Sequence, residues 1–136
     1  MAEGIIRDKA KEKGIEIETD SAGTGDYHVG ESPDKRAVDA MKKHNHDITD
    51  LRARQFDLSD FGKFDVVYAM DISNYDNIMA LARNDDDRDK VRLILNESQP
   101  NRGMEVPDPY FGGDPGFENV YQMLDAACEV ILERIR

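Results

Sequence analysis

In CEVILER, residues 128–134, a cysteine stands five residues ahead of an arginine. That spacing could hold a phosphate over a thiolate nucleophile. Cys128 is the only cysteine in the chain, so thiolate chemistry has no other candidate. A second stretch, VPDPYFGG (106–113), could supply an acid. Two prolines stiffen the backbone around Asp108, and Tyr110 and Phe111 set aromatic surface beside it. A carboxylic acid between aromatic walls could protonate a leaving oxygen; the same stretch also fits a plain rigid turn with a capping aspartate. Tyr27, in the glycine-rich stretch AGTGDYHVGE, could be a further aromatic wall or a surface tyrosine covering a helix end. His44 and His46 have no third metal ligand near them in sequence, and no metal is expected. His28 reads as a loop residue. Arg52 and Arg54 could bind an anion, but salt bridging is favoured in so acidic a chain, and Asp71 could simply cap the helix that follows it.

These residues need elements to hold them. Helical and extended patterns alternate along the chain, as in a parallel sheet with crossover helices. Ala2, Ile5, Ile6 and Ala10 form the apolar strip of an opening helix that Gly14 stops. IEIETDS predicts a strand over 15–20, leading to Ser21 and the glycine-rich loop. Ser32 and Pro33 read as the cap and first residue of a helix with Ala37, Val38 and Met41 inward, and Asn45 as its left-handed stop. After the irregular link 51–63, FDVVYAM (64–70) predicts a strand buried on both faces. A helix then runs from Ser73 as cap to about Arg83, NDDDRD reads as a solvated turn, and VRLILN (91–96) as the next strand. The loop 97–113 is long enough to suggest a functional role. In an open parallel sheet the loops after the strand carboxyl ends gather on one rim, so Ser21, Asp71 and 106–113 are expected together.

The last helix decides the role of Cys128. With Asp114 as cap and Pro115 in the first turn, Phe117, Val120, Tyr121, Leu124, Ala127, Cys128, Ile131 and Ile135 recur at three- and four-residue spacing. Cys128 therefore belongs to a buried apolar stripe. N–H groups inside a helix are already bonded to carbonyls, and EVILE has no glycine to open an anion nest. Burial also raises a thiol pKa where a nucleophile needs it lowered. The match is a decoy.

Composition narrows the remaining functions. The 136 residues suit one domain, 1–136. Lys and Arg total 18 against 29 Asp and Glu, a formal charge of -11, which disfavours nucleic acid and anionic membranes as partners. Nothing in the sequence reads as a membrane span or a secretory signal, and a lone cysteine fits a reducing cytoplasm.

DSAGTGDYHVGESPDKRA, LRARQF, AMDISN and VPDPYFGG occur in the order and spacing of the low-molecular-weight protein tyrosine phosphatases, and the chain is similar to that family over essentially all its length. The resemblance implies an α/β fold, three-layer α/β/α, with a small parallel sheet of four strands in the order 2-1-3-4. It implies hydrolysis of a phosphotyrosine protein or a small aryl phosphate through a phosphocysteine intermediate, without a cofactor. Asp108 would be the general acid, Tyr110 would line the entrance, and Tyr27 would be the aromatic residue of the substrate-recognition loop. Asp71 would lie behind the phosphate site, with Ser21 as a further support, and Phe111 stands where a second tyrosine is common.

Members of the family open with a strand running into a Cys-x5-Arg-Ser loop. The expectation is therefore that this chain starts past that loop, lacking the nucleophile and the first, central strand, and is inactive as it stands. The resulting gap would be closed by rearrangement or by another chain, a homo-oligomer being one form. The natural protein would then be an active phosphatase that starts upstream. The alternatives are a non-catalytic binding or assembly module, or an arsenate reductase, which normally needs further cysteines.

Overall fold

The computed structural model describes residues 1–23, 30–107 and 113–135. Tyr27, Asp108, Tyr110 and Phe111 lie outside the described residues. In chain order the elements are α1 (Ala2–Lys13), α2 (Lys35–Lys42), α3 (Asp60–Lys63), β1 (Val67–Ala69), α4 (Ile72–Leu81), α5 (Asp85–Lys90), β2 (Val91–Leu93), α6 (Leu95–Ser98) and α7 (Gly113–Ile135).

β1 and β2 pair in parallel, Val67 opposite Val91, Tyr68 opposite Arg92 and Ala69 opposite Leu93. Side chains alternate across a sheet, so Val67, Ala69, Val91 and Leu93 share a face. That face packs with Phe61 and Ile78, and with Tyr75 and Met79 of α4. Tyr68 points the other way, onto a larger cluster built from Ile5, Met41, Ile48, Leu95, Leu124 and Cys128. Helices thus cover both faces of a small parallel sheet. The expected α/β architecture is present, with α1, α2 and α7 on one side and α4 on the other. No helix among the described residues is long and apolar enough to cross a membrane.

Several local expectations are corrected. Ile15, Ile17 and Thr19 alternate in burial with their neighbours, yet 15–20 forms no ladder; only Gly23 makes an isolated parallel bridge, to Gln55. Alternation reports which side of a chain faces the protein, whereas a strand also needs a backbone partner. β1 is shorter than 64–70, and Val66, Val67 and Tyr68 are only half-buried. β2 ends at Leu93 because Ile94 turns helical (φ -62°, ψ -38°) to start α6, its N–H still reaching Ala69 O at 2.9 Å.

The helix starts also differ. Asp34, not Ser32, caps α2 by accepting from Arg36 N at 2.8 Å. Asp71, not Ser73, caps α4 by accepting from Asn74 N at 2.7 Å. α7 begins at Gly113, so Asp114 lies in its first turn rather than before it. The acidic tract is helical: Asn84 caps α5 by accepting from Asp87 N at 2.8 Å. Three aspartates in the first turn and Arg88 and Lys90 in the last complement the helix dipole. α3 lies within the link that read as irregular. Two stops are as expected, Gly14 at φ 69° and Asn45 at φ 65°.

α1 approaches the segment after α2 so closely that a Cβ on Gly4 would overlap Ile48 Cγ2 and lie 3.3 Å from Met41 Cε. Both neighbours are fully buried. Alanine in a helix gains about 1 kcal/mol over glycine, but overpacking a closed core costs about 1–3 kcal/mol. Gly4→Ala is therefore expected to lower the unfolding free energy by up to about 2 kcal/mol in urea titration; a raised midpoint would show that Ile48 yields freely.

Candidate active site

The carboxyl end of β1 gathers part of the expected rim. Met70 O accepts from Val106 N at 2.8 Å, and the Glu105 carboxylate accepts from Ile72 N at 2.9 Å. These two bonds tie the chain just before Pro107 and residue 108 to the start of α4. Asp71 sits between their partners, its carboxylate engaged as the helix cap. Ser21 is exposed and donates its hydroxyl to Glu3 in the first turn of α1, while its N–H donates to Asp20 Oδ1 at 2.8 Å. The structure therefore brings Asp71 to the base of 106–113 and Ser21 to the head of α1.

The thiol is elsewhere. Cys128 is 0% exposed inside the α7 core stripe. Burial, reinforced by the nearby Asp125 charge, pushes its pKa up to about 12, so it stays protonated at neutral pH. Arg134 is committed too, Nη1 lying 2.9 Å from Oε2 of the buried Glu97. The Cys-x5-Arg spacing of 128–134 thus joins a core thiol to an arginine that neutralises a buried acid. Burial and the Glu97 charge also raise the Tyr68 phenol, to about 12.

Arg54 is a salt-bridging residue, as the charge balance suggested. Nε meets Asp20 Oδ2 at 3.0 Å, and Nη1 and Nη2 take Asp60 Oδ2 and Oδ1 at 2.9 and 3.1 Å. Asp60 is 5% exposed. Burial alone would raise its carboxyl, but Arg54 and the Asp57 N–H outweigh that and hold it below the usual range. The same bonds, Asp60 foremost, raise Arg54 further against its own desolvation. Arg52 instead donates to the Thr49 and Leu51 carbonyls, both at 2.7 Å. His44 stacks on Tyr121 at 3.7 Å and bonds Glu118, and His46 bonds Asp8 at 2.7 Å. Both histidines tie helices together.

Sequence reasoning missed Glu105 and Glu97. Each acts on a partner more than thirty positions away (Ile72 and Arg134), a pairing for which local composition carries no signal.

The whole of residues 1–136 matches the family model for low molecular weight phosphotyrosine protein phosphatase. The low molecular weight protein-tyrosine-phosphatase of Streptomyces coelicolor is 37% identical over 140 residues, covering 100% of this chain and 85% of that protein. The human low molecular weight phosphotyrosine protein phosphatase is 32% identical, covering 98% and 85%. A crystal structure of a protein tyrosine phosphatase from Entamoeba histolytica superposes with a TM-score of 0.90 at 30% identity, over 98% of this chain and 85% of that one. The expected truncation draws no support from matches of this extent.

The Asp60 ion pair carries a pH signature. With its folded pKa lowered, Asp60 stabilises the fold fully above the unfolded carboxylate value of about 3.9, and this contribution is lost as pH falls through the lower folded value. Asp60→Asn is expected to cost roughly 2–3 kcal/mol at pH 7, less than a fully buried pair because Arg54 is a third exposed and keeps Asp20. The gap between the variant and the parent is expected to narrow in denaturant titrations below about pH 4. A constant difference between pH 7 and 3 would remove the charge from the argument.

Proposed function

Because the chain belongs to the low molecular weight phosphotyrosine protein phosphatase family, we propose that its rim is the substrate and leaving-group half of a phosphotyrosine site. Asp108 is the general acid toward the phenolate oxygen, and Tyr27, Tyr110 and Phe111 are aromatic walls for the ring. Asp71 is a support at the base of 106–113 and Ser21 a support at the head of α1. The substrate is a phosphotyrosine protein or a small aryl phosphate in the cytoplasm, and no cofactor takes part. The tie of 104–107 to the head of α4 supports this reading, because it holds the chain beside residue 108 against Asp71.

The burial of Cys128 carries the second half of the proposal. A phosphocysteine intermediate needs an accessible thiolate, and the single cysteine of this sequence is a protonated core thiol beside an occupied arginine. General acid catalysis alone supplies only about 10²–10⁴-fold. This polypeptide by itself is therefore a recognition module without turnover. One buried thiol favours an arsenate reductase still less. Hydrolysis of p-nitrophenyl phosphate is expected at the uncatalysed rate and unchanged by vanadate. Vanadate-sensitive turnover that Asp108→Ala abolishes in the same preparation would overturn the inactive reading.

The sheet bears on assembly. Among the described residues β1 pairs with β2 alone, and 16–22 makes no backbone ladder. β1 thus has no strand on its other edge among the described residues, and we propose that a second copy pairs there. Multi-angle light scattering is expected to show a dimer at micromolar concentration; a strict monomer with an ordinary melting temperature would rule it out.

A further inference from the structure

His46 is buried where the end of α2 meets α1 and α7, and both of its ring nitrogens are engaged. Asn45 turns the chain at φ 65°, and His46 N donates to Met41 O at 3.0 Å, which fixes where the ring starts. Nδ1 lies 2.7 Å from Asp8 Oδ2, and Nε2 lies 3.2 Å from the Tyr121 hydroxyl. On α1, Arg7 adjoins Asp8, and Lys9 reaches across to Asp125 of α7. On α7, Tyr121 carries His44 stacked on its ring, and Glu118 holds His44 Nε2.

Donors and acceptors allow two arrangements at this junction. An ionised carboxylate only accepts, so Nδ1 carries a proton toward Asp8 in both. In the neutral imidazole Nε2 then has only a lone pair, and Tyr121 must donate its hydroxyl proton to it. In the imidazolium Nε2 carries a proton as well, and the Tyr121 oxygen must turn acceptor. A phenol has one proton to give. Turned away from His46, it meets the Asp125 carboxylate, which lies one helical turn further along α7, acts on the same hydroxyl and holds Lys9 Nζ at 2.9 Å. Burial first, then the Asp125 charge, raise the Tyr121 phenol, so it remains a hydroxyl throughout the range in which histidines change charge.

We propose that His46, Tyr121 and Asp125 form a proton-driven switch, in which protonation of His46 at Nε2 reverses its hydrogen bond with Tyr121 and turns the Tyr121 O–H onto Asp125. A change of charge at the end of α2 is thereby passed to the ion pair that joins α7 to Lys9 of α1. His44 takes no part, because Glu118 occupies its Nε2.

Nitrogen and carbon NMR of the full chain between about pH 5 and 8 tests this. At the alkaline end neutral His46 is expected as the Nδ1–H tautomer, with Nε2 unprotonated. On acidification the side-chain carboxylate carbon of Asp125 is expected to shift in step with the His46 ring. That step is expected to persist in His44→Gln. In Tyr121→Phe, which keeps the ring in the core but has no hydroxyl to turn, it is expected to fall below about half its size. The Nε2–H tautomer at alkaline pH, an Asp125 carbon that ignores His46 or follows His44, or a step unchanged in Tyr121→Phe would each overturn the proposal. The tautomer and the parental Asp125 step need no substitution, so they decide the matter even where a variant fails to fold.

Discussion

The apolar stripe of α7 is the constraint on which the rest of the molecule depends. Phe117, Val120, Tyr121, Leu124, Ala127, Cys128, Ile131 and Leu132 are all buried along one helix, and each large member is worth about 1.5–3 kcal/mol when covered. A stripe of that length needs several partners, and α1, α2 and α6 all lie against α7. Their positions then follow from it. α1 comes close enough to the chain after α2 that only glycine fits at position 4. His44 and His46 bind the end of α2 to Glu118 of α7 and Asp8 of α1, and α6 brings Glu97 within reach of Arg134.

Against a net charge of -11, the buried acids are the informative ones. Asp60, Asp87 and Glu97 are each nearly inaccessible, and each meets an arginine: Arg54, Arg83 and Arg134. Burying a carboxylate costs several kcal/mol even after relaxation, so these pairs are weak evidence for stability and better evidence for placement. Each ties an irregular stretch to an ordered element. Asp60 with Arg54 fastens the link before α3, Asp87 with Arg83 fastens the turn before α5, and Glu97 with Arg134 joins α6 to the end of α7. Irregular backbone has few ladder bonds to fix its path, and a desolvated charge pair is one of the few local interactions strong enough to substitute.

How legible this was in the sequence depended on the range of the interaction. The α7 stripe, the α1 strip, Gly14 and Asn45 are local signals with one physical meaning, and the structure shows them as read except at the end of α7, where Ile135 is 50% exposed and Leu132 is buried instead. The segment 15–20 shows the opposite case: its alternation is real and its half-burial follows it, but pairing is a property of two chain segments. The caps illustrate a subtler failure. Ser32 and Ser73 are good capping residues, yet Asp34 and Asp71 accept the orphan N–H groups, because the path of the chain, not residue type alone, selects among nearby candidates. The acidic tract misled for a related reason. Like charges suggest a solvated turn, but at the head of a short helix three aspartates meet the dipole favourably and one folds inward onto Arg83. Of the site, the bond between Glu105 and Ile72 could not be read at all, since its partners are distant and neither belongs to a recognisable motif.

The two cysteine-and-acid patterns in the chain show why spacing alone does not assign chemistry. CEVILER has the spacing of a phosphate-binding thiolate loop, but in a helix five intervening residues take Arg134 more than a full turn beyond Cys128 and leave the intervening N–H groups bonded. VPDPYFGG carries no nucleophile, yet it follows a segment held by Val106 and Glu105 to the carboxyl end of a parallel strand, where open α/β sheets bind ligands. The types and spacing of residues thus mean different things inside a helix and after a strand end. Inside α7 the backbone donors are spent on the helix itself, whereas Val106 N and Ile72 N at the strand end join separate segments, through Met70 O and the Glu105 carboxylate.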